Sequence, residues 1–480
     1  MNPPISQLSD HFLLPEARLL FHPERRQEVE EHPLIGLVRF GPYSRNLLQA
    51  VLDPIRIAII APFGGLKFVK GLLTELHQRH RPSERRAYLT EYPGFTSIFR
   101  VGLEIASDTA IFEFPQAFDE ALNNAKAPYV TLAEGLSRAI SVVEAHRHEF
   151  DIIAIYLPHR WQAGFYSSEI DGFDLHDYLK ATMATRGIPT QIITDNALTY
   201  KCRCSVAWRL SIALYCKAGG VPWKMASADP ETAFIGLSYA MREQQSKGSR
   251  FVTCCSQVFD SEGSGLEFVA FETDDVHVER DNPFLSRNEM RRVMSRSLGL
   301  YQRRHGGRIP QRVVVHKSTQ FKSDEIEGCF DAFRGSLAID LIQVQQDVGW
   351  RGVLIHAPSD PNKTKGAPDG YPVHRGTSLQ LDGRTMLLWT QGNAPTAVGG
   401  KDFYKEGKGI PTPLMLRRYA GHGSWEPHCQ AILGLTKMNW NNDGLYDRLP
   451  VTLAYAQVLA RVIKRMPTLN PQTYQFRYFM

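Results

Sequence analysis

The sequence lacks the signatures of several common enzyme classes. It contains no Walker A loop, no Gly-x-Gly-x-x-Gly after an apolar run and no His-Glu-x-x-His. Those motifs mark P-loop nucleotide hydrolysis, dinucleotide binding and zinc proteolysis. Its seven cysteines form no Cys-x-x-Cys pair, so neither a zinc ribbon nor a disulfide framework is indicated. These absences disfavour nucleotide triphosphate hydrolysis and zinc proteolysis, and they favour a reducing compartment.

Signals for export and for membrane insertion are missing as well. The first residues, MNPPISQLSDHF, lack the basic and then apolar order of a signal peptide. The longest apolar stretches, such as IRIAIIAPF, are far too short to span a bilayer. We therefore expect a cytoplasmic protein without a membrane partner. The net charge of +5 over 480 residues permits a polyanionic partner but does not require one.

Short apolar runs alternate with helix-like segments in the first half of the chain. Three of these runs, Ile55–Phe63, Phe150–Pro158 and Pro189–Thr194, each adjoin a segment with helical character. Apolar strands that alternate with helices are typical of a parallel sheet covered on both faces. The first half is therefore predicted to form a parallel α/β layer.

A second unit is predicted to begin after a seam near Ser227–Pro230. Its pattern is three strands, a helix and a further strand, over Thr232–Met241, Arg250–Phe259, Leu266–Glu272, Asn288–His305 and Gln311–Ser318. This is the opening order of an RNase H-like domain. A late helix is predicted within YDRLPVTLAYAQVLARVIKRM.

Seven short motifs carry a resemblance to a known family. In chain order they are HDYLK, PTQII, CKAGGVPWK, AFIGLSYA, RVVVHKS, LTKMNWNN and LPVTLAYAQVLA. The series resembles the MID and PIWI domains of Argonaute proteins, most of all the short prokaryotic Argonautes. LIGLVRFGPYS, YPGFTSIF and IYLPHRW also look like that group. The resemblance implies an α/β fold with an N-terminal segment (1–45), a Rossmann-like MID domain (46–229) and an RNase H-like PIWI domain (230–480).

The resemblance implies a pocket for the 5′-phosphate of a guide strand. His176 and Lys180 match the family's first pair, and their spacing of four puts them on one helix face. Gln191 matches its glutamine, and Lys217, before Gly219-Gly220, matches its second lysine. Two lysines nearly neutralise a terminal phosphate of about −1.5 to −2 charges. Without the resemblance, Lys217 would be an ordinary helix C-terminus, and the others would be unremarkable strand or surface residues.

The resemblance also implies a divalent cation beside this phosphate. In some relatives the C-terminal carboxylate helps to hold such an ion, and here Met480 would supply it together with Gln191. Magnesium is the expected ion, because it keeps waters and pairs with phosphate oxygens.

The metal-binding acids of cutting relatives are replaced in this sequence. At the matching positions stand Ser238, Lys317 and Gln457, and the remaining glutamate finds no clear counterpart. Cutting needs carboxylates that hold two metal ions, so the chain is predicted not to be an enzyme. Lys317 is interpreted as a contact to a duplex phosphate, with a surface lysine or a pair with Asp324 or Glu325 as alternatives.

The resemblance implies a role in prokaryotic defence. Inactive short Argonautes use a guide, usually RNA, to recognise single-stranded invader DNA, and they activate a separate APAZ-containing effector that kills or arrests the cell. A sirtuin-like, NAD-depleting effector is favoured over a TIR or nuclease type, and the NAD would be bound by that partner. Lys437 and Asn439 are expected to contact the nucleic-acid backbone. The segment GGKDFYKEGKG (399–409) is a candidate mobile loop.

Two other functional classes stay open from the sequence. A guided endonuclease with a non-standard active site would need acids to fold in from elsewhere in the chain. A metabolic α/β enzyme would bind a small metabolite in the first domain, and it would show no preference for nucleic acid. The missing nucleotide fingerprint and the ordered motifs disfavour the metabolic enzyme.

Overall fold

The computed structural model describes most of the chain. It covers residues 10–480, except 47–50, 85–86, 168–171, 227–230, 244–249, 260–266, 274, 281, 357–364, 395–403, 405–408, 442–443 and 465–472. The predicted seam at Ser227–Pro230 lies outside the described residues, as does most of the segment 399–409. Within the described part, every helix is too short or too polar to span a bilayer.

Strands and helices alternate through the first half and a large sheet dominates the second. The strands are β1 Phe12–Leu13, β2 Leu19–Leu20, β3 Val29–Glu30, β4 Ile55–Ala61, β5 Leu103–Ile105, β6 Ile111–Glu113, β7 Ile152–Leu157, β8 Tyr166–Ser167, β9 Phe173–Asp174, β10 Thr190–Thr194, β11 Lys224–Met225, β12 Thr232–Glu243, β13 Arg250–Phe259, β14 Glu267–Thr273, β15 Val276–Glu279, β16 Asn282–Leu285, β17 Arg312–Lys317, β18 Ala338–Gln345, β19 Val353–His356, β20 Ala367–Pro372, β21 Thr377–Asp382, β22 Thr385–Leu388, β23 Leu414–Ala420 and β24 Thr473–Gln475. The α-helices are α1 Pro33–Phe40, α2 Leu66–Glu75, α3 Phe95–Phe99, α4 Ala117–Asn123, α5 Pro128–Glu144, α6 Leu175–Arg186, α7 Asp195–Thr199, α8 Arg203–Lys217, α9 Arg287–Arg304, α10 Ser323–Ala332, α11 Glu426–Leu435 and α12 Val451–Ile463.

The first half forms a parallel sheet in the order β10-β7-β4-β5, and β6 also pairs with β4. Alternate side chains of β4 enter two different cores. Ile57 and Ile59 face one, and Ala58 and Ile60 face the other. Burial on both faces explains why β4 is a continuous apolar run instead of an alternating one. The predicted parallel α/β layer is confirmed.

The second half is organised around a sheet in the order β1-β21-β22-β23-β18-β17-β12-β13-β14-β24. The strands β12, β17 and β18 run parallel, and β13 and β14 pair antiparallel beyond β12. The predicted order of three strands, helix and strand is present, and a short β15–β16 hairpin is inserted before α9. The α/β fold class is confirmed in both halves of the chain.

The N-terminal segment joins the second unit. Strand β1 pairs with β21 at the edge of the large sheet, while β2 pairs with β3 and with β11. Beyond β1, the Glu16 carboxylate binds Arg375 and Lys437 of the second unit. The domain boundaries inferred from the resemblance stay predictions.

Candidate functional site

Two helices and one strand bring the predicted phosphate-binding residues together. Helix α6 begins after Asp174, whose carboxylate accepts a hydrogen bond from the Asp177 backbone N–H, and it carries Lys180 in its middle. Helix α8 ends at Lys217, and Gly219 (φ 104°) then lets the chain turn so that the Gly220 N–H bonds the Tyr215 carbonyl. Lys217 therefore does lie in the last turn of a helix, as its sequence context also suggested.

Lys217 and Lys180 are buried, and each donates to a single oxygen in this cluster. The Lys217 Nζ donates to Oε1 of Gln191 at 2.6 Å, and the Lys180 Nζ donates to the main-chain oxygen of Met480. Both lysines are only 2% exposed. Gln191 is fixed in turn, because its Nε2 donates to the Ile192 carbonyl at 2.8 Å. We call Lys180, Gln191, Lys217 and Met480 the lysine cluster.

Burial disfavours the positive charge of the lysine cluster. Burial lowers the pKa of Lys180 to about 8, against the opposing pull of Asp177. Burial, and next the charge of Lys180, hold the pKa of Lys217 well below its usual 10.5. An anion bound between the two ammonium groups would offset both effects, because a nearby opposite charge stabilises the charged form. The arrangement is therefore suited to bind a compact anion.

A cavity of about 330 Å³ lies beside Gln191. Its wall includes Arg209 and Ala213, which share one face of α8 with Lys217 because they are spaced four residues apart. Asn441, from the loop after α11, lines it as well. Sequence reasoning missed Arg209 and Asn441. The spacing along α8 would have indicated Arg209, and Asn441 lies within the quoted motif LTKMNWNN, although the motif by itself indicates no role for it.

His176 stands apart from the lysine cluster. Its ring is 53% exposed, and its Nδ1 lies 3.6 Å from Oδ1 of the buried Asp177, whose Oδ2 binds Arg461 at 2.8 Å. His176 and Tyr166 line a separate hollow of about 340 Å³. The predicted pairing of His176 with Lys180 is present as a shared helix, but the structure shows no contact between His176 and the lysine cluster.

The oxygens expected to hold magnesium are both in the lysine cluster. Side-chain amide and main-chain oxygens are suitable ligands for this hard cation. In this structure the Gln191 Oε1 accepts from Lys217, and the Met480 oxygen accepts from Lys180. The donor chemistry fits a magnesium ion that shares these oxygens with a phosphate, provided that the lysines turn toward the phosphate.

The three substituted positions of the second unit do not share one face of the sheet. Lys317 of β17 is in register with Leu237 of β12. Side chains alternate along a strand, so Ser238 points to the opposite face, toward α12. Gly236 also faces that side, where a Cβ atom would collide with the Thr452 backbone. On this face β17 presents His316, which pairs with Gly236 and whose Nδ1 lies 3.0 Å from Oγ1 of Thr452 on α12. Gln457 lies on α12 and is exposed.

Lys317 is buried in the protein interior and paired there. Its Nζ donates to Oε1 of Glu325 at 2.5 Å and to the Gln320 carbonyl at 3.2 Å, and the rings of Tyr239 and Phe284 pack around it. Lys317 and Glu325 are at most 1% exposed. The expected contact of Lys317 with a duplex phosphate is corrected, because the ammonium group is buried against a carboxylate. The alternative pairing with Glu325 is the one that the structure shows.

Lys437 and Asn439 are also engaged within the protein. The Lys437 Nζ donates to the Ala17 and Glu31 carbonyls, both at 2.8 Å, and lies 2.9 Å from Oε1 of Glu16. An ammonium group has three donors, and these contacts use all of them. The expected backbone contact of Lys437 is therefore corrected. The Asn439 Nδ2 donates to Oδ2 of Asp447 at 2.6 Å, so this end of its amide is occupied too.

Comparisons with known proteins give one consistent relationship. No family model matches the chain. The Argonaute protein of Thermus thermophilus is 26% identical over 169 residues, which are 34% of this chain and 20% of that protein.

Solved structures extend the likeness across the chain. Clostridium butyricum Argonaute, bound to a guide DNA and a 19-mer target DNA, has a TM-score of 0.62 at 15% identity, over 95% of this chain and 53% of that one. Aquifex aeolicus Argonaute has a TM-score of 0.57 at 14% identity, over 98% of this chain and 56% of that one. The chain thus spans about half the length of these Argonautes. The chain therefore shares the fold of the MID and PIWI part of these Argonaute structures, and a third of it is also similar in sequence to an Argonaute.

Proposed function

We propose that the chain binds the 5′-phosphorylated end of a guide nucleic acid at the lysine cluster, and RNA is the favoured guide. The observation that carries the proposal is the convergence of Lys180, Gln191 and Lys217, which lie on three separate elements and were expected to meet around a phosphate. Charge-assisted hydrogen bonds from lysine to phosphate oxygens are short and strong. The phosphate displaces the Gln191 and Met480 oxygens as the acceptors of the two ammonium groups.

Magnesium is proposed as an accessory to this site. Gln191 and Met480 would hold the ion together with a phosphate oxygen, and the ion would supply positive charge against the phosphate. The protein side chains supply the other interactions with the phosphate. The lysines bind the phosphate, and the burial of the cluster excludes water.

The guide is proposed to recognise a complementary single-stranded DNA without cutting it. Base pairing supplies the sequence specificity, and the protein reads backbone shape and charge. Lack of cutting is supported by the substituted positions of the second unit, because Ser238, Lys317 and Gln457 are not carboxylates. Serine and glutamine are weak replacements for the carboxylates that hold two metal ions.

We propose that target binding is signalled to a second protein in a prokaryotic defence complex. A non-cutting recognition subunit can act through a partner protein, and the resemblance to short Argonautes points to an APAZ-containing effector. A sirtuin-like effector that depletes NAD is favoured over a TIR or nuclease type, and cell death or arrest would follow. The target-bound and target-free states of the pair must differ in free energy for this signal to pass.

Paired binding curves test the proposed function directly. The purified chain, with any protein that copurifies, is titrated in magnesium with a short RNA that carries a 5′-phosphate and with the same RNA that carries a 5′-hydroxyl. We expect clearly tighter binding of the phosphorylated RNA at every salt concentration. Binding of both RNAs that is equal and falls steeply with salt would indicate only non-specific backbone contacts and would refute the assignment of the lysine cluster.

A further inference from the structure

A second cavity, of about 250 Å³, lies where the N-terminal segment, β11 and the second unit meet. Its walls are mainly apolar and include Ala17, Met225, Phe234, Val314 and Ala431. It sits at the start of the parallel strands β12 and β17. Phe234 lines the cavity, and Ser238 lies four residues further along β12, about 13 Å away. Phe234 and Ser238 face the same side of the sheet, because side chains alternate along a strand. The cavity shares no lining residue with the cavity beside Gln191.

Cationic and donor side chains border this cavity. Arg18, Arg312 and His428 all line it. Behind them lies Asp340, which is 2% exposed. Its Oδ2 is 3.8 Å from the Arg312 Nε, and its Oδ1 is 3.4 Å from the His428 Nε2. The buried carboxylate thus lies close behind two wall residues, while Arg18 is exposed at the rim.

Gln430 lines the cavity with an amide group that can accept a further hydrogen bond. Its Nε2 donates to the Pro15 carbonyl at 3.2 Å, which fixes the amide plane. Among the described residues, no donor reaches its Oε1. A buried acceptor without a donor is costly, and a ligand that carries an N–H group would remove that cost.

We propose that this cavity binds a nucleotide. The heterocyclic ring would lie between the apolar walls, with a ring or amino N–H donating to Gln430 and the phosphate bound by Arg18 and Arg312. Guanidinium groups match the geometry of phosphate oxygens and bind them with charge assistance. The volume lies just below the range of about 300–1,000 Å³ for drug-sized ligands, which suits one ring system instead of a dinucleotide. The nucleotide is either free or an unpaired residue of a bound strand.

Calorimetric titration with AMP tests the proposal on the full chain together with any copurifying protein. AMP also carries a 5′-phosphate that the proposed lysine cluster would bind, so the titration is made in Lys217→Met, where we expect one saturable site. In this background Ala431→Phe would fill the cavity and weaken AMP binding by about tenfold or more. Arg18→Ala, at an exposed side chain whose loss leaves the fold intact, would weaken AMP binding but not adenosine binding. Lys217→Met alone is the reference for both added substitutions.

Two outcomes would overturn the proposal. They are the absence of AMP binding to Lys217→Met, and AMP binding to Lys217→Met that is insensitive to Arg18→Ala and Ala431→Phe together. A competition experiment with a 5′-hydroxyl oligoadenylate distinguishes a free nucleotide from an unpaired nucleotide of a bound strand. If it displaces AMP from the wild type and from Lys217→Met, the ligand is an unpaired nucleotide of a strand. If AMP binding resists it, the ligand is a free nucleotide.

Discussion

The Nζ of Lys317 lies 2.5 Å from Oε1 of Glu325, and both side chains are buried within the second unit. The other carboxylate oxygen of Glu325 accepts the Lys322 backbone N–H at 3.0 Å, at the start of α10. The pair thus links the end of β17 to the first turn of a helix. A lysine that the sequence placed at a candidate nucleic-acid contact instead holds two elements of the fold together.

Removal of one partner of this pair should be strongly destabilising. Lys317→Met leaves the Glu325 carboxylate buried without its counter-charge, which typically costs about 3–5 kcal/mol. The double variant Lys317→Met with Glu325→Gln removes both charges, keeps an oxygen to accept the backbone N–H groups of Lys322 and Leu285, and should recover most of that loss. Urea unfolding, followed by tryptophan fluorescence, measures both variants. Equal destabilisation by the single and double variants would show that the charge pair is not the cause.

Replacement of both buried lysines should abolish the preference for a 5′-phosphate. Each lysine contributes a hydrogen bond to a charged group, worth about 1.5–3 kcal/mol. Lys180→Met and Lys217→Met should each reduce the affinity ratio between phosphorylated and hydroxyl guides by about tenfold or more. Burial disfavours both charges, so the free energy of unfolding should not fall greatly. Lys67→Met, at an exposed lysine of α2 outside the lysine cluster, is the control and should keep the ratio. An unchanged ratio in the double lysine variant would place the phosphate elsewhere.

Chelation of magnesium should weaken the binding of phosphorylated guides selectively. Gln191 and Met480 are the proposed ligands, so EDTA is expected to reduce the affinity for the 5′-phosphate guide by about tenfold and to leave the 5′-hydroxyl guide unaffected. Guide titrations with and without EDTA at constant ionic strength separate the effect of a bound magnesium ion from general electrostatic screening. An equal response of both guides to EDTA would argue against an ion at the lysine cluster.

Glu16 should make stability depend on acid pH. Burial raises the pKa of Glu16, but the charges of Arg375 and Lys437 outweigh burial and lower the pKa from 4.5 to about 2. A carboxylate with a lowered folded-state pKa stabilises the fold above its unfolded pKa, and this contribution is lost as the pH falls from about 4.5 toward 2. We expect Glu16→Gln to cost about 1.5–3 kcal/mol at neutral pH.

The pH profile supplies the control for Glu16. The difference in unfolding free energy between the wild type and Glu16→Gln should be constant at neutral pH and should shrink as the pH approaches 2. A difference that stays the same across this range would mean that the charge of Glu16 does not stabilise the attachment of the N-terminal segment.

Restoration of one acid should not create a nuclease. Ser238→Asp supplies a single carboxylate, while Lys317 is paired with Glu325 and Gln457 is not an acid, so neither offers a second metal-binding carboxylate. Two-metal cleavage needs several carboxylates around the ions. We expect no guide-directed cleavage of complementary DNA by this variant in magnesium or manganese. Robust cutting by Ser238→Asp would refute the proposed absence of catalysis.

The sequence by itself determined the alternation of strands and helices and the fold class. The apolar runs around Ile57 and Ile153 indicate strands buried on both faces, and the Gly219-Gly220 pair marks the end of α8. These features are local, because period, capping and turn chemistry act within a few residues. The sequence also allowed a set of phosphate-binding residues to be predicted, because Lys180, Gln191 and Lys217 lie in the ordered motifs.

Only the tertiary structure decided which side chains meet and which are free to bind. Lys317 and Lys437 carry the same charge as Lys217, yet each is neutralised by a buried glutamate, Glu325 or Glu16, brought in from another element. The face of Ser238 follows from the register of β12 against β17, which no single strand reveals. Long-range pairing sets these partners, because the free energy of a buried charge depends on what surrounds it and not on its neighbours in the chain.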